Sequence, residues 1–190
     1  MYNITSMNIY EIIKNRRTIH GYTDEKVDEQ IVEQALEACL YGLNHKHTQP
    51  WRFFVTNEQQ KLDIANVAVE LKKKKKPDTP KAVLDAVRKK FTNPSHLIVL
   101  GMKKSESEFQ TKEDYAAIAC GVQNMSLFLW EKGIGSKWST GGASQNPAIY
   151  EWLDVDQNEI EIVGIFLIGI AEKNPAVPCK AELKDVIKRF

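Results

Sequence analysis

The segment from Lys112 to Lys132 limits the possible folds more than any other stretch of this chain. It is rich in Ala, Met, Leu and Phe. Read as a helix, it is apolar over most of its circumference, which suits a central element and not a surface one. Such a helix needs neighbours on several sides. The segment Glu159 to Ala171 (EIEIVGIFLIGIA) offers one, as the strongest strand pattern in the chain. Its inner part, Ile162 to Ala171, is the longest apolar run and is interrupted by two glycines. It falls short of the eighteen or so apolar residues that a spanning helix requires.

The remaining elements arrange themselves around these two. Ser6 is placed to cap a first helix from Met7 to about Arg16, with Ile9, Ile12 and Ile13 on one face. Thr18 to Asp24 reads as an irregular loop. A second helix is expected from about Asp28 to Tyr41, with Gly42 as its C′ residue. Trp51 to Thr56 reads as a strand, 58 to 71 as an amphipathic helix, and the lysine- and proline-rich stretch after it as a break. A helix over 81 to 90 and a buried strand at His96 to Gly101 follow. Ile134 to Gly142 is a strand running into a loop. Asn146 to Leu153 is a short helix with Pro147 in its first turn, and a last helix spans Lys180 to Arg189. Helices first, then strands mixed with helices, imply an α+β fold with a sheet covered by helices. The 190 residues, 43% hydrophobic and 27% charged, suit a single domain over 1–190.

Charge and cysteine usage narrow the class. A formal net charge of +1 argues against a general nucleic-acid or membrane binder, although a small anionic ligand needs only a local cluster of cations. Met1 to Glu11 lacks the pattern of a signal peptide. Cys39, Cys120 and Cys179 are an odd, scattered set that fits neither a disulfide framework nor a zinc site. A cytoplasmic location without bound metal is the expectation.

Several segments carry groups that bind ligands. Arg16-Arg17-Thr18 packs two guanidiniums and a hydroxyl into three residues, a compact receptor for an oxyanion. The same pair also suits the negative end of a helix, and both readings stand at this point. Asn44 to Trp51 (NHKHTQPW) is a polar loop before a strand, with no acidic or thiol partner that would make its histidines a metal site. Trp138 to Gly142 (WSTGG) joins hydroxyls to paired glycines, which let a flat ligand approach the backbone. Lys72 to Lys76 reads as a solvated helix end. The chain shows no GxGxxG element after a strand, no P-loop, no GxSxG and no evident nucleophile pairing. An enzyme built this way draws its reactivity from a cofactor.

In order along the chain stand Arg16-Arg17-Thr18-Ile19-His20, His45-Lys46, Gln49-Pro50-Trp51-Arg52-Phe53, Asp114 to Asn124, Gly133 to Gly141, and Val163 to Gly169. Together they resemble the nitroreductase superfamily of FMN enzymes, and its smaller subgroup with a His-Lys loop before Gln-Pro-Trp. The resemblance covers roughly residues 9 to 189. It implies a central, mostly antiparallel sheet covered by helices, and a long helix at a homodimer interface that holds the flavin. It implies hydride transfer from NADH or NADPH through flavin N5 to a nitroaromatic, quinone or similar small acceptor, in a ping-pong cycle. The flavin carries the chemistry, with no catalytic side chain. Arg16 and Thr18 would hold the phosphate and ribityl chain, with Arg17 beside them. Trp138, Ser139 and Thr140 would line the ring, and Gly141 or Gly142 would offer a backbone N–H towards its N5. His45 would contact the cofactor from the partner subunit or across the interface, Tyr41 aligns near a cofactor-contacting position, and Lys180 would be a further phosphate ligand.

One position departs from the resemblance. His20 stands where a permanent cation usually faces the flavin N1–O2 edge. A histidine, with an ordinary pKa of about 6.5, carries charge there only when protonated. A reduction potential that changes with pH near neutrality is therefore expected. Two rival readings are a flavin-binding storage or sensing protein without turnover, and a module binding polyanions through the lysine run.

Overall fold

The computed structural model describes residues 8–190. Four strands form one antiparallel sheet in the order β1-β2-β4-β3. They are β1 (Trp51–Val55), β2 (His96–Lys103), β3 (Gly135–Ser139) and β4 (Ile160–Gly169). The two central strands are buried almost throughout, as their unbroken apolar runs require. Helices pack on both faces, so the architecture is α+β as expected.

Residues alternate between two cores. Ile98, Leu100, Met102, Phe166 and Ile168 point towards α2 (Glu29–Leu40) and α5 (Glu108–Glu131). Leu97, Val99, Ile165 and Leu167 point the other way, onto Ile64 of α3 (Glu58–Lys75) and Phe91 of α4 (Lys81–Thr92). This is the two-residue period of a strand buried on both sides. Each fully buried aliphatic side chain contributes roughly 1.5–3 kcal/mol. The pairing slips by one residue where Leu100 faces Gly164 but Gly101 faces Ile162, which leaves Val163 as a bulge. Gly164 sits at φ 151, and a Cβ there would collide with the Trp138 indole nitrogen. Only glycine fits that spot.

The central helix is longer than its pattern suggested, because Ser107 caps it by accepting from Gln110 N–H. It buries one stripe, from Asp114 through Ala117, Ile118, Gly121, Val122 and Met125 to Leu129. Gly121 lets α2 approach closely, since a Cβ there would lie 2.6 Å from the Cys39 carbonyl oxygen. On the uncovered side Phe109 and Tyr115 are exposed.

Several expected boundaries move. Ser6 and Met7 lie outside the described residues, and Asn8 caps α1 (Ile9–Asn15) by accepting from Glu11 N–H. Of its apolar face only Ile12 is buried; Ile9 and Ile13 are 61% and 49% exposed. Gly42 is not in the left-handed region. Its small size is needed because a Cβ would lie 2.8 Å from the Gly121 nitrogen. α3 continues through the lysine run instead of stopping before it. Lysine is a good helix former, and cations favour a helix C-terminus. α6 is Ala148–Trp152, and the last helix shrinks to α7 (Leu183–Val186). Everything from Glu172 onward is exposed, an arm that leaves the body of the domain.

Candidate functional site

The segment after α1 is not a free loop. Thr18 bridges Ser136 of β3, and Ile19 N–H donates to the Ser136 carbonyl at 3.1 Å. Thr23 N–H donates to Ile170 at 2.9 Å. Ile19 is fully buried, and the Tyr22 hydroxyl donates to the Ile19 carbonyl at 3.1 Å. Because this stretch is extended, residues alternate: Arg17 and Ile19 turn inward while Thr18 and His20 are exposed and Arg16 is half-buried.

That alternation separates the two arginines. Arg17 Nη1 donates to the carbonyls of Lys14 and Arg16 at 2.7 and 2.8 Å, so it closes the end of α1. The Arg16 Nε is buried and has no hydrogen-bond partner. Burial first, and the Arg17 charge second, act against the charge on Arg16 and lower its pKa. An unpaired buried donor on a charged group is expensive, and an anion relieves that cost.

His20 completes this edge. Its Nδ1 lies 3.4 Å from the Nζ of Lys137, on β3. Burial and then the charges of Lys137 and Lys90 lower the histidine pKa below its usual value. Burial and then Lys90 also depress Lys137. Among the described residues no carboxylate forms an ion pair with Arg16, His20, Lys90 or Lys137. His20, Lys90 and Lys137 form a cation cluster without an ion-paired carboxylate, and Arg16 stands earlier on the same extended segment.

The loop after β3 is open to solvent. Thr140, Gly141 and Gly142 are exposed, and a Cβ on Gly141 would meet nothing within 4 Å. Ser144 fixes the turn, donating from N and Oγ to the Gly141 carbonyl at 2.8 Å each. Ser139 is half-buried at the strand end. Trp138 turns the other way, against Gly164 and the Tyr115 ring, whose centroid is 5.9 Å distant. Its Nε1 is buried without a partner.

The loop carrying Tyr41, His45 and His47 leads into β1, the opposite edge of the sheet. Two strands intervene, a separation of about 14 Å at the usual strand spacing. Within one chain it does not join the Arg16 cluster. It is strained: Lys46, His47 and Gln49 all have φ between 52 and 58. Such residues cost of order 1–3 kcal/mol each and persist where surroundings enforce them. Here the clamp is Asp114 of α5, 3% exposed, which accepts from Thr48 Oγ1 at 2.5 Å and from Gln110 Nε2 at 3.0 Å. Asn44 supports the loop by donating to Thr48 Oγ1 and accepting from Gln49 N–H, both at 2.9 Å. Lys180 stands in the exposed arm.

Sequence reasoning therefore missed Lys137, Lys90 and Asp114. Lys137 had one readable signal, a lone lysine beside Trp138 in a short strand. Asp114 opened one of the motifs without an assigned role, because its loop partner Thr48 is distant in sequence while Gln110 is only one helical turn away. The described residues contain no group of three or more His, Cys, Asp or Glu that could hold a metal ion, and no helix long and apolar enough to cross a membrane.

Comparison with known proteins fits this geometry. A Bacillus subtilis relative named "Putative NAD(P)H nitroreductase YfhC" is 28% identical over 176 residues, covering 92% of this chain and 90% of its own. The solved structure of a nitroreductase-like family protein from Bacillus cereus superposes with a TM-score of 0.82 at 27% identity, covering 98% and 97% of the two chains. A protein from Desulfovibrio desulfuricans, solved in complex with FMN, shares the fold with a TM-score of 0.77 at 21% identity, over 98% of each chain. The model of the Nitroreductase family matches residues 13–170, and the chain belongs to that family.

Proposed function

We propose that this protein is an FMN-dependent oxidoreductase that uses NADH or NADPH. The observation that carries this reading is the buried, unpartnered Arg16 Nε, on a guanidinium with no carboxylate paired to it. The residues fit a phosphate-bearing cofactor: a guanidinium with a free donor, the exposed Thr18 beside it, and open backbone at Gly141. FMN, when bound, would accept a hydride from the nicotinamide and deliver it to a nitroaromatic, quinone or similar acceptor.

The chain's own groups bind and orient. Arg16 and Thr18 hold the phosphate, and Arg17 braces Arg16 by fixing the backbone at the end of α1. Ser139, Thr140 and Gly141 present hydroxyls and backbone to the ring. Trp138, packed on Gly164, keeps that strand end in place. Holding the reacting partners in one orientation is where most of the rate gain arises.

A homodimer completes the site. Ile9 and Ile13 on α1, Tyr41 and Leu43 before the strained loop, and Phe109 and Tyr115 on α5 are all exposed. The arm after Glu172 carries exposed Leu183, Val186, Ile187 and Phe190. Apolar surface in that quantity suits a partner copy. The same partner would bring Tyr41, His45 and Lys180 to the cofactor. The free cysteines suit a cytoplasmic setting. The test is a visible spectrum of the purified protein supplied with FMN. A bound-flavin spectrum that bleaches with NADH or NADPH supports the reading, and a protein that stays colourless overturns it. Sedimentation of the full chain should give twice the monomer mass.

A further inference from the structure

Lys137 and His20 form a pair of bases with no acid between them. An ammonium has only donors, so at 3.4 Å Lys137 donates and His20 Nδ1 accepts. That arrangement needs a neutral imidazole with its hydrogen on Nε2. The positive charge of the pair therefore resides on Lys137. The charged groups facing His20 are Lys137 from β3 and Lys90 from α4. Arg16 lies four residues earlier on the same extended stretch. Glu172 is turned towards Gly21 and pairs with neither base. Protonating His20 would add a further cation to this group, which like-charge repulsion opposes.

Lys137 is held in place from behind. Its strand is paired residue by residue with β4, opposite Leu167, and Ile19 is stitched to the neighbouring Ser136. A half-buried ammonium on a rigid strand, with a neutral imidazole but no carboxylate beside it, has lost hydration and gained no counter-charge. Its position beside His20 puts it at the point where the cluster opens to solvent.

We propose that Lys137 is the permanent cation of the cofactor site, holding an anionic oxygen of bound FMN, with His20 as its neutral hydrogen-bond partner. This rests on the FMN reading above. It replaces a histidine-controlled charge with a fixed one, so His20 does not set the pH dependence of the bound flavin near neutrality. The oxygen is on the phosphate or on the reduced ring, and the experiment separates the two.

The full-length dimer is titrated with FMN and with riboflavin, following flavin fluorescence, and the midpoint potential of the bound flavin is measured between pH 6 and 8. Lys137→Met, Lys137→Arg and His20→Asn are compared with wild type, with apo-protein melting as the folding control. For a phosphate contact, Lys137→Met weakens FMN about tenfold and leaves riboflavin unchanged. For a ring contact it weakens the hold on the reduced form about tenfold relative to the oxidised form, a drop of about 30 mV for two electrons. Lys137→Arg restores most of either effect, and His20→Asn has a smaller one. If wild type binds FMN while Lys137→Met changes neither affinity nor potential, or His20→Asn has the larger effect, the proposal is overturned. Wild type that takes up no FMN overturns the cofactor reading as well.

Discussion

Lys61 and Lys137 are both withdrawn from water, and they meet their charge in opposite ways. Lys61, near the start of α3, is 2% exposed. Its Nζ donates to Glu58 at 3.0 Å and to the Ser95 carbonyl at 3.5 Å. Glu58 in turn lies 3.9 Å from Lys26, and the hydrogen bond from Lys61 holds its carboxyl below the usual range. That corner is neutralised by its own residues and serves the fold. Around Lys137 the neighbours are His20 and Lys90, and at the same edge stands Arg16 with an orphaned donor. Burial of charge alone does not mark a site; burial of charge without a counter-charge does.

The largest expected effect that tests this contrast is at Arg16. Arg16→Met should weaken FMN binding about 30-fold, roughly the 2 kcal/mol of a charge-assisted hydrogen bond, as read by fluorescence titration. Melting of the apo-protein should stay level or rise, because a strained like charge is removed. At the other corner the pattern inverts. Glu58→Ala should lower stability by about 2 kcal/mol in chemical unfolding, since it strands a buried ammonium, while FMN affinity stays within twofold. A loss of FMN affinity there would break the contrast.

Lys61→Met should cost about 1 kcal/mol or less, because Glu58 is exposed and keeps its water. A larger loss would mean that the pair itself stabilises the fold.

The smallest effect concerns pH. His20 and His96 both have lowered pKa values, each chiefly from burial and next from a neighbouring lysine, Lys137 and Lys61 respectively. Burial therefore favours the neutral form of both in the folded protein. Their contribution is therefore present above the ordinary histidine value of about 6.5 and lost as pH falls below it. Melting of the apo-protein should drop by about 2 °C between pH 7 and 5.5. Saturating FMN should leave the His96 part in place, because a bound anion acts only on the charges beside it. Equal protection of both would contradict the separation of the two corners.

Much of the fold was legible from pattern alone. The apolar runs at His96 to Gly101 and Glu159 to Ala171 read as strands, the first of them as buried, and the apolar helix announced itself by composition. What pattern missed was decided by contacts distant in sequence. Residues 18–24 read as loop because their hydrogen bonds go to Ser136 and Ile170. Gly42 looked like a helix terminator but is small because α5 passes beside it. In the site, the Arg16-Arg17 pair was visible, but nothing local told which arginine faces inward. The sheet edge decides that, and it assigns the helix-end role to Arg17 and leaves Arg16 open. His20 drew attention for the charge it lacks, while Lys137, which carries charge beside it, is 117 residues away.

The most direct test is to titrate wild type and Arg16→Met with FMN and riboflavin side by side. An unpaired Arg16 guanidinium that holds a phosphate predicts FMN binding at least about tenfold tighter than riboflavin in wild type, with the gap closing in the variant. Equal binding of the two flavins by wild type, or an unchanged gap in the variant, would contradict the account.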